Sequence, residues 1–421
     1  MGSDIQGGFS RPDDFNFAAP GIRMLSILPS WDMGERVDVS DLFALRLARR
    51  GFDIDWVMLS SPFAGSWKKT VWRNQTAYMV GKGGNAGMAG KLFGKMNEFL
   101  GMLKLIPVGL AGKYDVVQAR DTFYAAVIGL MIARLKRIPF VFWLSYPFPE
   151  ARLLDAKEKR SRHPWYSRWM GHTTSWLLYR IILPYADHAF VQSEQMKRDI
   201  MAHGIAPEKM TAVPMGVADE VFARQSGEAI AGTVIYLGTL ARVRRLEVLL
   251  HAMVEVIKKA PQARLIFVGN GDAPEDRQFL EDEVQRLGLE KVVTFTGFLP
   301  MDDAWKMVES AAICVSPFYP TPVLRSTSPT KIIEYMALGK PVVANDHPEQ
   351  SRIIQESGAG LCVEWSAEAF ANAIIQLISQ PEQSTKMGQL GPGWVKQNRS
   401  YEHIADLVFD RYQTILSRTV I

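Results

Sequence analysis

The segment Ser328–Ala344 (SPTKIIEYMALGKPVVA) gathers the residues best able to hold an anion. Ser328 is suited to cap a helix and Pro329 to its first position, so the spacing predicts a helix starting there. The free amides and positive dipole end of that helix would face the preceding loop, residues 319–327, where phosphate fits. Thr330 and Lys331 fall in the first turn. Glu334 follows about one and a half turns in, placed to accept from a ribose while Lys331 and the amides hold phosphate. The same residues would also make an ordinary capped helix with Lys and Glu facing solvent. Gly339-Lys340-Pro341-Val342-Val343 then turns sharply into a buried strand.

The elements that must position these groups alternate along the chain. In the first half, short apolar runs at Ile22–Leu28, Asp53–Leu59, Tyr114–Gln118, Pro139–Leu144 and Ala189–Gln192 read as strands. Helical patterns lie between them at Asp41–Arg50, closed by Gly51, at Phe123–Leu135, and from Ser193 onward. The second half repeats this with strands at Thr233–Leu237, Arg264–Val268, Val292–Thr296, Ile313–Val315 and Pro341–Ala344, and helices at Leu246–Lys259 and Glu275–Leu287. Strand, helix, strand at this spacing makes parallel sheets with right-handed crossovers. Two such sheets, joined by a linker over Val217–Ala231, would bind ligands at the carboxyl ends of their strands.

A chain of 421 residues, 48% hydrophobic and 22% charged, is globular and too long for one ordinary core. Its net charge of +4 is uneven: residues 1–226 carry 29 Lys and Arg against 21 Asp and Glu, and the remainder is net negative. A basic first half suits an anionic surface or acceptor, and equally suits plain solubility. Cys314 and Cys362 both read as buried strand residues, which is no disulfide framework and fits a reducing compartment. Residues 1–20 read as a polar disordered tail without the apolar core of a secretory signal. No apolar run reaches the roughly 20 residues a spanning helix needs. Two stretches nevertheless suit an anionic membrane face: Lys91–Gly109, with apolar residues between lysines, and the basic Lys157–Arg168 with Trp165, Tyr166, Trp169 and Trp176.

Several motifs resemble, in order, those of the retaining GT-B glycosyltransferases of family 4. Glu334–Val343 (EYMALGKPVV) resembles the family's E-A-M-A-x-G-x-P-V-V run. Val268–Asp272 resembles V-G-x-G, Val293–Pro300 resembles V-x-F-x-G-x-x-P, and Pro214–Val217 with Phe222 resembles P-N-G-V-D-x-x-x-F, Met215 replacing Asn. Gly238–Arg245 (GTLARVRR) resembles G-R-L-x-x-x-K, with Thr239 for the Arg and Arg244 at the Lys position. The resemblance implies two Rossmann-like domains facing across a cleft. The acceptor domain would span 21–222, with a C-terminal helix near 400–418 packed back on it, and the donor domain 223–399. It implies transfer of a sugar from a nucleotide diphosphate, most simply a UDP- or GDP-sugar. Arg244 would grip the diphosphate through its planar fork. Gly238, Thr239, Gly269, Arg325, Ser328, Thr330, Lys331 and Glu334 would complete the donor site, with the base at Gly297, Phe298 and Leu299.

The chain also departs from that pattern. The first glutamate of E-x7-E falls on Ser326, giving an S-P-x-K variant like that of some polysaccharide-assembly members. Phe140–Glu150 (FVFWLSYPFPE) resembles F-V-x-x-x-R-D-L-W-P-E, but Ser145 and Tyr146 replace the Arg-Asp or His helper. Ser145 or Glu150 would substitute, and Gly34, Glu35 and Arg36 stand where the family has a Gly-rich loop beside the transferred sugar. The implied reaction retains configuration, uses no metal or other cofactor, and takes a glycan or lipid-linked acceptor in the cytoplasm at the inner face of a membrane. A GT-B nucleotide-sugar epimerase and a catalytically inactive binding subunit are the alternatives. No G-x-G-x-x-G opens the first half, which disfavours a dinucleotide oxidoreductase, and no nucleic-acid module is recognisable.

Overall fold

The computed structural model describes residues 21–32, 34, 36–61, 67–81, 88–224 and 227–418, with backbone only at 61 and 88–98. The expected tail at 1–20 and Glu35 lie outside the described residues.

Each half forms one sheet. The first runs β3-β4-β2-β1-β5-β6-β7-β8, from β1 (Ile22–Leu28), β2 (Phe52–Ser61), β3 (Lys68–Trp72), β4 (Gln75–Gly81), β5 (Val116–Arg120), β6 (Phe140–Leu144), β7 (His188–Val191) and β8 (Met210–Ala212). The second runs β11-β10-β9-β12-β13-β14, from β9 (Ile230–Leu237), β10 (Arg264–Val268), β11 (Val293–Gly297), β12 (Ala311–Ser316), β13 (Val342–Asn345) and β14 (Gly360–Val363). Every pairing is parallel except β3 with β4. Helices cover both faces of each sheet, which is why β5 and β6 are buried at every position and read as unbroken apolar runs.

Most of the expected elements lie within a few residues of their predicted positions, β8 and β14 had no predicted range, and four further differences have physical reasons. The β3–β4 hairpin was unforeseen: Arg73 and Asn74 both take positive φ, 47° and 61°, in a two-residue turn that lacks the usual Asn-Gly signal. Instead of one helix over Asp41–Arg50, a short turn at Val37–Ser40 leads into a wide i→i+5 turn at Leu42–Leu47, ending at Gly51. That turn buries Leu42, Phe43 and Leu47 and carries Arg46 into ion pairs with Asp41, Asp219 and Glu402. Cys362 is exposed, not buried, because β14 is the edge of its sheet; Cys314, on interior β12, is buried. Within the expected linker, Asp219–Phe222 forms a turn of helix and Ile230 already begins β9.

The chain returns to the first domain beside that crossing, where Val217 N donates to Arg399 O at 2.8 Å and Tyr401 N to Val217 O at 3.3 Å. The final helix, Tyr401–Ser417, then buries Tyr401, Ile404, Val408 and Tyr412 among Met24, Phe52 and Phe190 of the first core. Burying large apolar side chains stabilises by about 1.5–3 kcal/mol each, so the last helix is integral to the first domain.

Candidate active site

On the second sheet, three neighbouring strands end in glycine. Gly238, Gly269 and Gly297 have φ of 145°, 135° and 75°, which side-chain-bearing residues rarely adopt. A Cβ on Gly269 would lie 2.2 Å from Gly238 O, so these strand ends can approach only as glycines. Gly238 N donates to Val268 O at 2.9 Å and Gly269 N to Gly297 O at 3.0 Å, lacing the three ends into a ledge. Phe298, beside it, is 82% exposed, and Leu299 is half-buried.

Two cations converge above this ledge. Lys331 is buried with its Nζ 4.9 Å from the Tyr236 ring centroid and 5.2 Å from that of Phe318. Arg244 closes a single 3₁₀ turn, lies near enough to the Tyr236 hydroxyl to oppose the rise that burial gives it, and sits 5.7 Å from the Phe318 ring. The same Tyr236 hydroxyl donates to Thr239 O at 3.0 Å. A Cβ on Gly238 would meet Lys331 Nζ at 3.2 Å, so that glycine also makes room for the amine. Burial and Arg244 together hold Lys331 well below the usual lysine range, and Glu334 only partly offsets them. Burial likewise raises the half-buried Glu334 carboxyl, against the pull of Lys331. Among the described residues, neither cation makes an ion pair with a carboxylate. Buried charge without a counter-ion costs free energy, and an anionic ligand would remove that cost. The flanking arginines diverge: Arg242 stacks on Phe279 at 3.6 Å, and Arg245 faces Tyr319 and Glu247.

The helix carrying Lys331 begins one residue later than predicted. Thr330 is its first residue and Pro329 its cap position, with no side chain capping it. The expected cap, Ser328, instead accepts from Met215 N at 3.0 Å and ties the helix entrance to the first domain. Ser326, where the family's first glutamate falls, is sealed away. Its hydroxyl donates to Asp199 and its carbonyl accepts from Ser193 Oγ at 2.7 Å. Arg325 is exposed, and its charge disfavours protonation of buried His347, already lowered chiefly by burial.

The carboxyl ends of β1, β5 and β6 hold a second cluster, which the motifs missed in part. Asp38, 3% exposed, pairs with Arg120 and with Arg36, the latter at 3.1 Å. Burial would raise the Asp38 carboxyl, but Arg120 and Arg36 hold it below its usual value. Arg120 Nε also approaches Asp121 Oδ2 at 3.5 Å. Asp121, with φ 51°, accepts from Ser145 N at 2.7 Å and from the Ser145 hydroxyl. Burial outweighs those contacts and raises the Asp121 carboxyl. The available signal was Ala-Arg-Asp at residues 119–121, a charged pair at the end of a buried strand. Gly34 lies against Trp31 and Trp72.

Glu150 does not join this cluster. Its Oε1 accepts the Tyr179 hydroxyl at 2.7 Å, bracing two helices, and its Oε2 is buried without a partner. Ser145 and Glu150 are five residues apart, but the helix starting at Phe148 turns Glu150 away. Tyr146, next to Ser145, packs its ring against Phe148 at 5.1 Å, and its half-buried hydroxyl is raised by burial and by Asp155, while Arg160 and Arg244 oppose the rise. A separate cavity of about 230 Å³, at the crossing between domains, is lined by Pro214, Glu349, Trp394 and Arg399 and by none of these residues.

Each half of the chain matches a known family. A model described as Glycosyltransferase Family 4 matches residues 44–221, and one described as Glycosyl transferases group 1 matches residues 231–380. The chain is a GT-B glycosyltransferase of group 1, family 4. HepE of Anabaena, solved in complex with UDP, superposes on this glycosyltransferase with a TM-score of 0.68 at 15% identity, over 93% of this chain and 100% of HepE. Sucrose-phosphate synthase of Thermosynechococcus elongatus gives 0.69 at 19% identity, over 94% and 100%. The α-monoglucosyldiacylglycerol synthase of Streptococcus pneumoniae is 20% identical over 68% of this chain and 64% of its own length. The D-inositol 3-phosphate glycosyltransferase of Segniliparus rotundus is 27% identical over 50% and 48%. The glycosyltransferase thus spans about half to two thirds of these two curated relatives.

Proposed function

We propose that this glycosyltransferase moves a sugar, with retention of configuration, from a UDP- or GDP-sugar to a glycan or lipid-linked acceptor of cell-surface polysaccharide assembly. The observation that carries the reading is the pair of cations, Lys331 and Arg244, held without a carboxylate counter-ion at the carboxyl ends of the second sheet. Two linked phosphates would lie between them and the uncapped amides at Thr330, with Gly238, Thr239 and Gly269 letting the backbone approach closely. Glu334 would accept from the ribose, Arg325 would add a peripheral phosphate contact, and the base would sit at Gly297–Leu299. HepE has been solved with UDP-glucose, which suggests a ligand of that class.

As the C1–O bond to the diphosphate breaks, its electron pair passes to the phosphate oxygen, where Lys331 and Arg244 stabilise the charge. The acceptor oxygen bonds to C1 from the same face and its proton passes to the departing oxygen. The cations this scheme uses are the protein's own, so it calls on no metal. Arg36 and Ser145 would line the acceptor side. A thermal-shift panel of UDP-, GDP- and ADP-sugars tests the donor reading. One class should stabilise the protein, and Arg244→Ala or Glu334→Ala should abolish that shift with the fold intact. A shift kept in both variants would mean the site is elsewhere.

The acceptor reading rests on a separate surface. Trp165, Trp169 and Trp176, on the helix Pro164–Trp176, are 74%, 55% and 58% exposed. Phe99, Leu103, Leu135 and Tyr185 are exposed on other helices of the same domain, whose helices also expose Lys104, Arg134, Lys157 and Arg168. Indole rings with basic neighbours suit the headgroup layer of an anionic bilayer, at the cytoplasmic side under this reading. Among the described residues no helix is long and apolar enough to cross a membrane. Co-sedimentation with phosphatidylglycerol vesicles, and less with phosphatidylcholine, is expected. Binding unchanged by Trp165→Ala with Trp169→Ala would remove the proposal.

A further inference from the structure

Ser145, 5% exposed just past the carboxyl end of β6, differs from an ordinary serine in its partners. Both its N–H and its O–H are directed at one carboxylate, Asp121, which is 7% exposed. A serine hydroxyl normally donates or accepts as its ligand requires. Here the single proton is committed inward, so only the oxygen lone pairs remain for a partner. Asp121 is held in this role by its surroundings. It takes a left-handed backbone conformation, φ 51°, that non-glycine residues adopt only when their surroundings hold them there. Arg120, 1% exposed, is itself anchored on Asp38 and keeps its Nε 3.5 Å from Asp121 Oδ2. The serine directly follows the carboxyl end of β6, the edge at which parallel sheets of this kind take their ligands.

We infer that Asp121 is a positioning residue that makes Ser145 an obligate hydrogen-bond acceptor, so that this side of the cleft takes a sugar hydroxyl and rejects a phosphate or carboxylate. The inference rests on the donor reading above and deepens it by specifying the polarity of the group opposite the diphosphate. Such a hydroxyl belongs either to the transferred sugar or to the incoming acceptor. An anion would meet only lone pairs at Ser145, with a carboxylate directly behind them, and like-charge contact in a buried setting is strongly unfavourable.

Asp121→Asn reverses the polarity at nearly constant shape. The Asn oxygen can still accept Ser145 N–H, but its NH₂ must donate to Ser145 Oγ and so turns the serine hydroxyl outward as a donor. Initial rates of hydrolysis, with water as acceptor, are to be measured for UDP-glucose and its 3-, 4- and 6-deoxyfluoro analogues, since fluorine cannot donate. In Asp121→Asn and Ser145→Ala we expect kcat to fall about 30-fold while donor KM stays within about threefold, as for loss of one hydrogen bond beside a charge. Ser145→Thr, which keeps the hydroxyl, should recover most of the rate lost in Ser145→Ala. If the wild type disfavours one fluorinated donor and both damaging variants lose that preference, the hydroxyl is on the transferred sugar. If all analogues react alike in the wild type yet the variants remain slow, it is the acceptor's. Should Asp121→Asn misfold by circular dichroism, the Ala and Thr variants at Ser145 decide the matter. Wild-type kcat in Asp121→Asn and Ser145→Ala would overturn the inference and leave the donor reading standing. A wild type that neither binds nor hydrolyses UDP-glucose or GDP-glucose would overturn both.

Discussion

The two sides of the cleft each bury charge, and they neutralise it differently. On the first-domain side, Arg36 and Arg120 face Asp38 and Asp121, so the cluster is balanced within itself. On the second-domain side, Lys331 and Arg244 lean on the faces of Tyr236 and Phe318, with Glu334 near but not paired. A balanced buried cluster fixes geometry, because removing either partner strands the other. An unbalanced one stores a requirement for a ligand. The second-domain side should therefore respond to an anionic ligand, and the first-domain side to loss of either partner in its ion pairs.

That contrast can be broken most directly at Arg120. Arg120→Met should lower unfolding stability by about 3–5 kcal/mol, the usual cost of stranding a buried charge, while nucleotide affinity of the folded fraction stays unchanged. Chemical denaturation beside calorimetric titration with UDP and GDP measures both, and a weakened nucleotide with intact stability would invert the comparison. Lys331→Ala is the converse: about 100-fold weaker nucleotide binding, or roughly 2.7 kcal/mol, with little loss of stability. Gly269→Ala should cost about 2 kcal/mol of stability, since its Cβ would strike Gly238 O at 2.2 Å and its φ is 135°. A thermal melt of that variant superposing on the wild type would mean the ledge is slacker than its geometry.

The pH dependence sharpens the comparison further. Lys331 titrates below the ordinary lysine value, and a bound diphosphate would draw a proton onto it. Nucleotide affinity should therefore fall as pH rises through the free protein's lowered value, by up to about tenfold per unit. For the unliganded protein the sign reverses. Between the lowered folded value and the usual one, the unfolded chain binds more protons, so stability rises with pH across that window. Smallest of all, Lys331→Met should raise unliganded stability by about 1 kcal/mol at neutral pH, by replacing a buried amine that lacks a carboxylate partner with an apolar chain. A lower melting temperature would show that the amine is satisfied in the free protein.

The legibility of the site follows the same division. The second-domain groups were readable because a cation one turn into a helix, glycines at strand ends and an arginine after the first strand each depend on local spacing. Arg244 and Lys331 lie far apart in sequence, but each is placed by its own strand-to-helix junction. The first-domain cluster was poorly legible. Ser145 stood out, whereas its partner Asp121 did not, because their pairing needs β5 and β6 in register, with Arg120 opposite Trp143. Glu150 was misread for the complementary reason: five residues from Ser145 in sequence, it is carried away by the intervening turn and bound to Tyr179.

Sequence alone determined the two parallel sheets, the glycine strand ends and the cationic junctions, since periodicity and backbone sterics act over a few residues and leave local marks. Only the tertiary structure decided that Ser328 and Ser326 bind the opposite domain, that the last helix completes the first core, and that one cluster is balanced while the other is not. Those outcomes depend on which charges and hydroxyls meet after the chain has crossed twice between domains, and Coulomb and hydrogen-bond energies are set by that final distance and burial.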